Sequence, residues 1–245
     1  MLLAHLAAAS AAVASTRARS EKTALLADTL RCAGPEEILP VVAYLSGELL
    51  QRRTGVGWAS LRDLPPAAGQ PSLTIAEVHA AFAEIAAMAG PGSQAERRDR
   101  LSSVLGRATE QEQGFLAGLV AGELRQGALA SLVVDAVARA AGLPAEDVRR
   151  AVMLRGAVGP VAAAVLGGGA GGLEQFRLEV GRPVQPMLAQ TAGSMSDALE
   201  RFGTAAVEWK LDGVRVQIHR RGQDVRVFTR TLDDITARVP ELGPV

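Results

Sequence analysis

Apolar residues recur every three or four positions through the first two-thirds of the chain. This is the period of an amphipathic helix, and almost no segment there alternates with the period of two that a strand requires. The clearest repeats fall at residues 24–30, 36–53, 74–88, 97–105, 110–121 and 127–141. Thr74 lies three residues before Glu77, the spacing of a capping box, and Gly142-Leu143-Pro144 is typical of one helix ending and the next beginning. The pattern predicts an all-helical domain over residues 1–165.

The amino-terminal residues 1–14 are apolar and rich in alanine, which allows two interpretations. Ala12-Val13-Ala14 is similar to a signal-peptidase site, but the positively charged leader segment is missing. The favoured interpretation is a first helix with four residues on its buried side: Leu2, Leu3, Leu6 and Val13. No apolar run reaches the roughly 18–20 residues that a membrane helix needs. A single cysteine excludes a disulfide scaffold, so we predict a cytoplasmic protein with no membrane partner.

The hydrophobic pattern changes after residue 165. The glycine run at 167–172 is not followed by Gly-Lys-Ser/Thr and no strand precedes it, which favours a linker over a phosphate-binding loop. Strand-like alternation follows at residues 205–209, 214–220 and 224–230. Arg221-Gly222-Gln223 is typical of a hairpin turn between the last two. The prediction is an α+β fold with a helical domain at 1–165, a Gly-rich linker at 166–176 and an antiparallel β segment at 177–245.

Charge and composition narrow the candidate chemistry. The 26 basic and 26 acidic side chains cancel, so no global basic field steers the chain to nucleic acid. The three histidines are scattered and offer no metal-ligand spacing, so no protein metal site is predicted. All but two of the basic residues are arginines, and the exceptions are Lys22 and Lys210. Because an arginine stays protonated, amine chemistry would have to use one of these two lysines.

Lys210 lies in the most suggestive window of the chain, Glu208-Trp209-Lys210-Leu211-Asp212-Gly213-Val214-Arg215. It follows one predicted strand and precedes a glycine turn into the next, where desolvation and a nearby cation lower the pKa of a lysine amine. Arg215 and Arg230 present planar donor forks suited to phosphate or ribose oxygens. The alternative is an ordinary surface hairpin with a Glu208–Lys210 pair on one face.

These residues resemble a known family. The pattern Lys210-x-Asp212-Gly213-x-Arg215 is similar to the nucleotidyl-transfer motif of ATP-dependent DNA ligases, RNA ligases and mRNA-capping enzymes. Pro186-Met187-Leu188-Ala189 resembles the segment that opens the adenylation domain of the DNA ligases. Helical segments around Leu45–Leu49, Gly55–Trp58 and Leu124–Ala128 resemble the DNA-binding domain of bacterial, actinobacterial-type ATP-dependent DNA ligases.

The resemblance implies roles for individual residues. Lys210 would attack the α-phosphate of ATP, with Mg²⁺ as the accompanying ion, to form lysyl-AMP. Glu208 would contact the adenine edge, Arg215 and Arg230 would bind the ribose and phosphate side, and Asp212 would hold the turn. AMP would pass to the 5′-phosphate of nicked duplex DNA before the strand is sealed. Such an enzyme would serve DNA replication, repair and recombination as a nucleoid-associated cytoplasmic monomer.

Two departures from the family pattern are visible. Thr229 and Thr231 stand where the family has serine and asparagine. The family's later motifs, including its metal-binding carboxylates, would lie beyond Val245. One hypothesis is therefore that the chain is the front half of a ligase and inactive alone. There are two alternatives. One is a DNA-binding remnant without catalytic activity, and the other is an RNA ligase or capping-type enzyme.

Candidate DNA contacts are carried by local arginine clusters in the helical part. Arg52 and Arg53 form one such cluster, although a charged helix face is more often simply solvated. Arg125-Gln126-Gly127 at a predicted helix start is a second candidate, because glycine and free backbone N–H groups let a phosphate approach closely. Contacts of this kind position a protein on a duplex without reading its sequence.

Overall fold

The computed structural model of the 245-residue chain describes residues 1–51, 54–124, 130–186, 191–209 and 211–242. The chain divides into two compact units, Met1–Phe176 and Arg177–Val245. Described residues are mostly helical and include one two-stranded antiparallel sheet, which confirms an α+β composition. In the described part of the chain, no helix is long and apolar enough to cross a membrane.

The first unit is built from helices joined by short connections. Their bounds are α1 Leu3–Ser15, α2 Arg19–Arg31, α3 Ile38–Leu45, α4 Ile75–Ala87, α5 Ser93–Gly106, α6 Glu110–Ala121, α7 Ala130–Ala141, α8 Ala145–Arg155 and α9 Val158–Gly168. Short 3-10 turns cover Pro35–Glu37, Trp58–Leu61 and Gly169–Leu173. One contiguous apolar core runs through these helices, and its largest fully buried side chains include Tyr44 and Phe82.

Two capping boxes start helices of this unit. Thr74 accepts from the Glu77 N–H while the Glu77 carboxylate accepts from the Thr74 N–H, and Thr109 with Glu112 repeats the arrangement at α6. Each box satisfies two backbone donors that a helix start would otherwise leave unpaired. The buried amide of Gln113 donates to the carbonyls of Pro65 and Leu105, which ties the loop before α4 to the end of α5.

The predicted helices are largely confirmed, with differences at their ends. α6 has the predicted bounds, and α1 buries Leu3, Leu6 and Val13 while Leu2 is half-buried. The helix predicted at 36–53 stops at Leu45, because the chain turns through Gly47 at φ 79°. The glycine run differs from the expected linker: it ends α9 and forms the 3-10 turn Gly169–Leu173, with Leu173 and Phe176 packed against the core.

The second unit contains a helix, a hairpin and two 3-10 turns. Their bounds are α10 Met195–Phe202, β1 Val216–Arg221, β2 Asp224–Thr229 and the turns Thr236–Arg238 and Pro240–Leu242. β1 and β2 are antiparallel with Val216 opposite Thr229 and Arg221 opposite Asp224. The strand predicted at 205–209 is wrong: this segment has no strand pairing, and all five of its residues are exposed. A strand needs a hydrogen-bonded neighbour, which alternation alone does not supply.

Candidate functional site

The open end of the β1–β2 hairpin brings the two predicted nucleotide-binding arginines together. Arg215 comes directly before β1 and Arg230 directly after β2, and because Val216 pairs with Thr229, the register sets the two arginines opposite each other. Both line a cavity of about 230 Å³. The other lining residues are Val184, Pro186, Val216, Gln217 and Thr229. The sequence prediction that these two side chains serve one site therefore has a geometric basis.

The hairpin is stabilised on its second edge by the residues that follow it. Val227 donates its N–H to the Thr236 hydroxyl at 3.0 Å and accepts from the Ile235 N–H at 2.9 Å. Val227 and Phe228 are buried there. β2 is therefore held on both sides, which gives Arg230 a fixed starting point at the end of the strand.

The two threonines that depart from the family pattern close the loop around Arg230. The Thr229 and Thr231 hydroxyls are 2.9 Å apart, and Thr231 donates to the Asp233 carboxylate at 2.6 Å. The Asp233 N–H in turn donates to the Thr229 hydroxyl at 3.2 Å. Leu232, inside this loop, has φ 70°, a left-handed conformation that leucine rarely adopts. Both threonine hydroxyls thus take part in this turn, together with backbone hydrogen bonds of 3.0 Å from the Thr229 N–H to the Asp233 carbonyl and from the Leu232 N–H to the Thr229 carbonyl.

The charge of the cavity favours an anionic ligand. Its lining includes two guanidinium groups, and no carboxylate is among the described residues that line it. After β2, the exposed Asp234 carboxylate accepts hydrogen bonds from the hydroxyl and the backbone N–H of Thr236. These bonds hold the pKa of Asp234 below its usual value, so the carboxylate stays ionised and its charge is used within this turn. Guanidinium groups suit phosphate and ribose oxygens because their donors form a rigid fork.

The remaining predicted residues of the site are placed differently. Glu208 lies in the exposed segment 205–209, where Val207 and Trp209 are 89% and 95% exposed, and it does not line the cavity. Lys210 lies outside the described residues, between Trp209 and Leu211. The structure thus brings Arg215 and Arg230 together, while Glu208 and Lys210 stay predictions from the sequence.

Sequence reasoning missed the contacts that two side chains of β1 make with residues 181–184, next to this cavity. The Gln217 amide accepts from the Val184 N–H at 3.0 Å and donates to the Val184 carbonyl at 2.6 Å. His219, expected as an outward-facing strand residue, is half-buried and accepts a hydrogen bond from the Gly181 N–H at 2.9 Å. The alternation of side chains along the predicted strand sets Gln217 and His219 on one face of β1. It does not show that the backbone of residues 181–184 lies against this face.

In the helical unit, one cavity of about 650 Å³ is lined by the residues that flank Arg52 and Arg53 and by Leu119–Gly122, which end three residues before Arg125. Arg52, Arg53, Arg125 and Gly127 themselves lie outside the described residues. The cavity is lined by residues from 47–56 and by the end of α6, including Gln51 and Thr54, which flank the first pair. Leu124, next to Arg125, packs about 3.7 Å from the position that a Cβ would take at Gly47. Two segments distant in sequence therefore share one surface.

Comparison with known proteins supplies the family. A family model described as "ATP dependent DNA ligase domain" matches residues 186–244, which hold the hairpin and the Lys210 motif. A second, described as "DNA ligase N terminus", matches residues 60–138 of the helical unit, and the two together cover more than half of the chain. The chain belongs to the ATP-dependent DNA ligase family.

Curated relatives named "Probable DNA ligase" match the chain almost from end to end. The one from Mycolicibacterium gilvum is 58% identical over 243 residues, which are 99% of this chain and 48% of that protein. Those from Streptomyces griseus and Anaeromyxobacter sp. are both 56% identical, over 99% of this chain and 47% and 48% of their own lengths. The chain spans about half the length of the curated relatives it matches.

In this ligase-family chain, many arginines other than Arg52, Arg53 and Arg125 have structural partners. Arg19 and Arg149 both pair with Asp135, at 2.9 and 2.6 Å, which joins α2 and α8 to α7. Others pair across helices or cap a helix end: Arg100 with Glu84, Arg107 with Glu77, and Arg97 with the carbonyls of Ile85 and Met88. Such residues are less available to phosphate than a solvated cluster would be.

Burial would raise the pKa of Asp135, but the hydrogen bonds from Arg19 and Arg149 outweigh it, so the pKa lies below its usual value. The carboxylate is only 15% exposed, so water screens it less than a surface ion pair. Asp135 is therefore a helix-joining residue, and the two arginines that it holds contribute to the fold.

Proposed function

We propose that this chain carries the nucleotidyl-transfer site of an ATP-dependent DNA ligase, with Lys210 as the nucleophile. The observation that supports it best is the cavity at the open end of the hairpin, where Arg215 and Arg230 face one space. Arg215 belongs to the same motif as Lys210, and the matched ligase domain includes both arginines and the motif. Residues 177–245 would correspondingly belong to an adenylation domain of the nucleotidyltransferase type.

The first chemical step would join AMP to the lysine. The lone pair of the neutral Lys210 Nζ attacks the α-phosphorus of ATP, the bond from that phosphorus to the bridging oxygen of the β-phosphate breaks, and pyrophosphate leaves. The amine loses a proton to solvent, and a phosphoramidate remains. Arg215 and Arg230 would hold the ribose and phosphate oxygens so that the α-phosphorus stays within reach. Glu208 would read the adenine edge, and Asp212 would hold the turn that carries the lysine.

Mg²⁺ would accompany the triphosphate of ATP. Among the described residues there is no group of three His, Cys, Asp or Glu side chains placed to hold a metal ion. Mg²⁺ is commonly held largely by substrate phosphates and water.

The product of the first step would act on nicked duplex DNA. AMP would pass from Lys210 to the 5′-phosphate at the nick, and the adjacent 3′-hydroxyl would displace AMP to form the phosphodiester. Nick sealing of this kind would serve replication, repair and recombination. The helical unit would hold the duplex through backbone phosphates, which position a protein without reading sequence.

The shared surface in the helical unit supports the DNA part of the proposal. Gln51 and Thr54, which border Arg52 and Arg53 in sequence, line the cavity, and Leu124, which precedes Arg125 in sequence, packs against Gly47 in its lining. Two cationic segments on one face can follow adjacent phosphates of a duplex, whereas one exposed cluster makes an isolated contact. Charge reversal at Arg52 and Arg125 together should weaken duplex binding and flatten its salt dependence.

Labelling with α-³²P-ATP and Mg²⁺ tests the chemistry directly. The chain offers a matched control, because Lys22 in α2 is the only other lysine. The expected result is covalent label on the wild-type chain and on Lys22→Ala, and none on Lys210→Ala. Label that persists in Lys210→Ala, or that never forms on the wild type, would overturn the assignment of the nucleophile.

A second candidate function is DNA binding without chemistry. The observation in its favour is that the helical unit has an extensive buried core, whereas few of the described residues in the second unit are buried. Retention on nicked duplex with no covalent label would support this candidate. Adenylylation of RNA ends instead of nicked DNA would favour an RNA ligase or capping-type enzyme.

A further inference from the structure

A backbone segment crosses one face of the β1–β2 hairpin and is held there by side chains rather than by strand pairing. We call residues 181–186 the crossing segment. Gln217 binds it at Val184 through two hydrogen bonds, of 3.0 and 2.6 Å, and His219 binds it at Gly181 through one of 2.9 Å. Gln217 and His219 are two positions apart on β1, so their side chains share the same face of the strand.

The amide of Gln217 is chemically suited to this contact. A planar amide carries an acceptor oxygen and a donor nitrogen side by side, so it satisfies the N–H and the carbonyl of one residue at once. This is the pattern that a neighbouring strand would offer to Val184. Two bonds to one residue restrict its rotation as well as its position, whereas the single bond from His219 to Gly181 restricts position only.

His219 also packs against the hairpin. Its ring lies edge-on to Phe228, with centroids 5.1 Å apart and an interplanar angle of 74°. Phe228 is 5% exposed and pairs with Gln217 in the register. The side chains that hold the crossing segment are therefore themselves fixed by the hairpin's small core, and are not free surface groups.

The crossing segment forms one wall of the candidate nucleotide cavity. Val184 and Pro186 line it from this segment, and Arg215 and Arg230 line it from the hairpin. Pro186 has no N–H to donate to a hydrogen bond. The two hydrogen bonds from the Gln217 amide to Val184 hold the backbone two residues before Pro186. Gln217 also lines the cavity.

We propose that Gln217 is a positioning residue of the nucleotide site: its amide holds the Val184–Pro186 wall against the Arg215 and Arg230 face. His219 is a second and weaker tether of the same wall. This inference rests on the proposed function, because it assumes that ATP occupies the cavity. It assigns Gln217 to nucleotide affinity and leaves the chemical step to Lys210, so its loss raises KM for ATP at unchanged kcat.

Replacement of Gln217 by methionine is the sharpest test. Methionine has a similar length and no hydrogen-bonding amide, whereas glutamate would add a charge beside Arg215 and Arg230 and so weaken ATP binding for another reason. His219→Phe keeps a ring against Phe228 and removes the bond to Gly181. Gln223→Met is the matched control, since Gln223 is exposed in the turn at the far end of the same hairpin.

Initial rates of α-³²P-ATP labelling of the full chain, over a range of ATP concentrations, separate the ATP concentration that gives half the maximal rate (KM) from the maximal single-turnover rate (kcat). Loss of two hydrogen bonds in Gln217→Met should raise KM about tenfold, and His219→Phe should raise it about threefold. Gln223→Met should stay within about twofold of the wild type, with kcat unchanged in all three. Equal KM values for Gln217→Met and wild type, or a fall in kcat alone, would overturn the proposal.

Backbone hydrogen exchange provides an independent readout. In Gln217→Met the Val184 amide should exchange faster while the ladder amides of β1 and β2 stay protected. Loss of ladder protection together with Val184 would mean a general structural role and would overturn the positioning role. If the wild-type chain neither binds nor incorporates ATP, the proposed function fails and this inference falls with it. If the wild type incorporates ATP and Gln217→Met does so with the same KM, only this inference fails.

Discussion

The helical unit and the second unit differ most in how much apolar surface they bury. Among the described residues, the core of the helical unit contains 38 buried apolar residues, whereas only Val227 and Phe228 are buried in the second unit. The second unit also exposes large apolar side chains that a folded core normally covers, among them Leu178, Met195, Phe202, Val207, Trp209, Leu211 and Val214. The candidate chemistry therefore lies on the part of the chain with the least core.

This contrast separates two ways of holding a structure together. Helices of the first unit are held by packing, in which each side chain depends on many neighbours. The hairpin of the second unit is held by its backbone ladder, by the turn at 231–236 and by the side-chain bonds to the crossing segment. A two-stranded hairpin alone is marginally stable, so these extra bonds decide whether the cavity keeps its shape.

The largest effect should come from a matched pair of phenylalanines. Phe82 in α4 is 1% exposed and Phe202 in α10 is 68% exposed. Phe82→Ala should lower the free energy of unfolding by about 3–5 kcal/mol, because it leaves a cavity in a packed core. Phe202→Ala should change it by less than about 0.5 kcal/mol. Denaturant titration followed by circular dichroism measures both. Similar losses of unfolding free energy in the two variants would show that α10 is packed in solution. They would contradict the difference in buried apolar surface between the two units.

An intermediate effect is expected at Asp135, which joins three helices of the first unit. Asp135→Asn should cost about 1–2 kcal/mol at neutral pH, since it removes the negative charge that accepts three hydrogen bonds from two half-exposed arginines. The pKa of this carboxyl is lower in the folded state than in the unfolded state, where it is about 3.9. Its contribution to the free energy of unfolding is therefore complete above the unfolded-state pKa. That contribution is lost as the pH falls through the folded-state pKa.

Unfolding of the wild type and of Asp135→Asn across this acidic range gives the measurement. The difference in unfolding free energy between the two should shrink toward zero as the solution is acidified. Asp28→Asn is the control, because Asp28 pairs with Arg31 on an exposed surface of the same unit and should cost less than about 0.5 kcal/mol. A difference that stays constant with pH would contradict the assigned cause.

A smaller effect is expected from two helix caps of similar chemistry. The Thr109 hydroxyl accepts from the Glu112 N–H at α6, and the Ser194 hydroxyl accepts from the Asp197 N–H at α10. Thr109→Ala should lower global stability by about 1 kcal/mol, because α6 is part of the core. Ser194→Ala removes an equivalent bond from an unpacked helix, so it should speed local exchange in α10 and leave global unfolding unchanged. Equal global losses would contradict this.

The smallest change in stability, less than about 0.5 kcal/mol, is expected from Met195→Gln. Met195 is 80% exposed on the apolar side of α10, which also carries Leu199 and Phe202. The variant should bind less of a hydrophobic fluorescent dye than the wild type, because one large apolar side chain leaves the surface. Unchanged dye fluorescence would show that this side of α10 is already covered in solution.

Most helices could be predicted from the sequence because their signals are local. The capping box at Thr74, the run that becomes α6 and the buried side of α1 all depend on residues a few positions apart. The same logic failed where a local pattern had no tertiary support. Alternation at 205–209 predicted a strand without a partner, and apolar residues after Leu45 extended α3 past the turn at Gly47. α10 was missed, although Ser194 and Asp197 have the spacing of a helix cap.

The family, the motif around Lys210 and the pairing of a helical domain with a β segment were determined by the sequence itself, because each depends on residue types at short spacing. Only the tertiary structure decided which distant residues meet. It set Arg215 opposite Arg230, joined Gln217 to Val184, and brought Arg19 and Arg149 to one carboxylate. These contacts span from about a dozen to more than a hundred residues, and their partners are selected by packing and register, which no local pattern encodes.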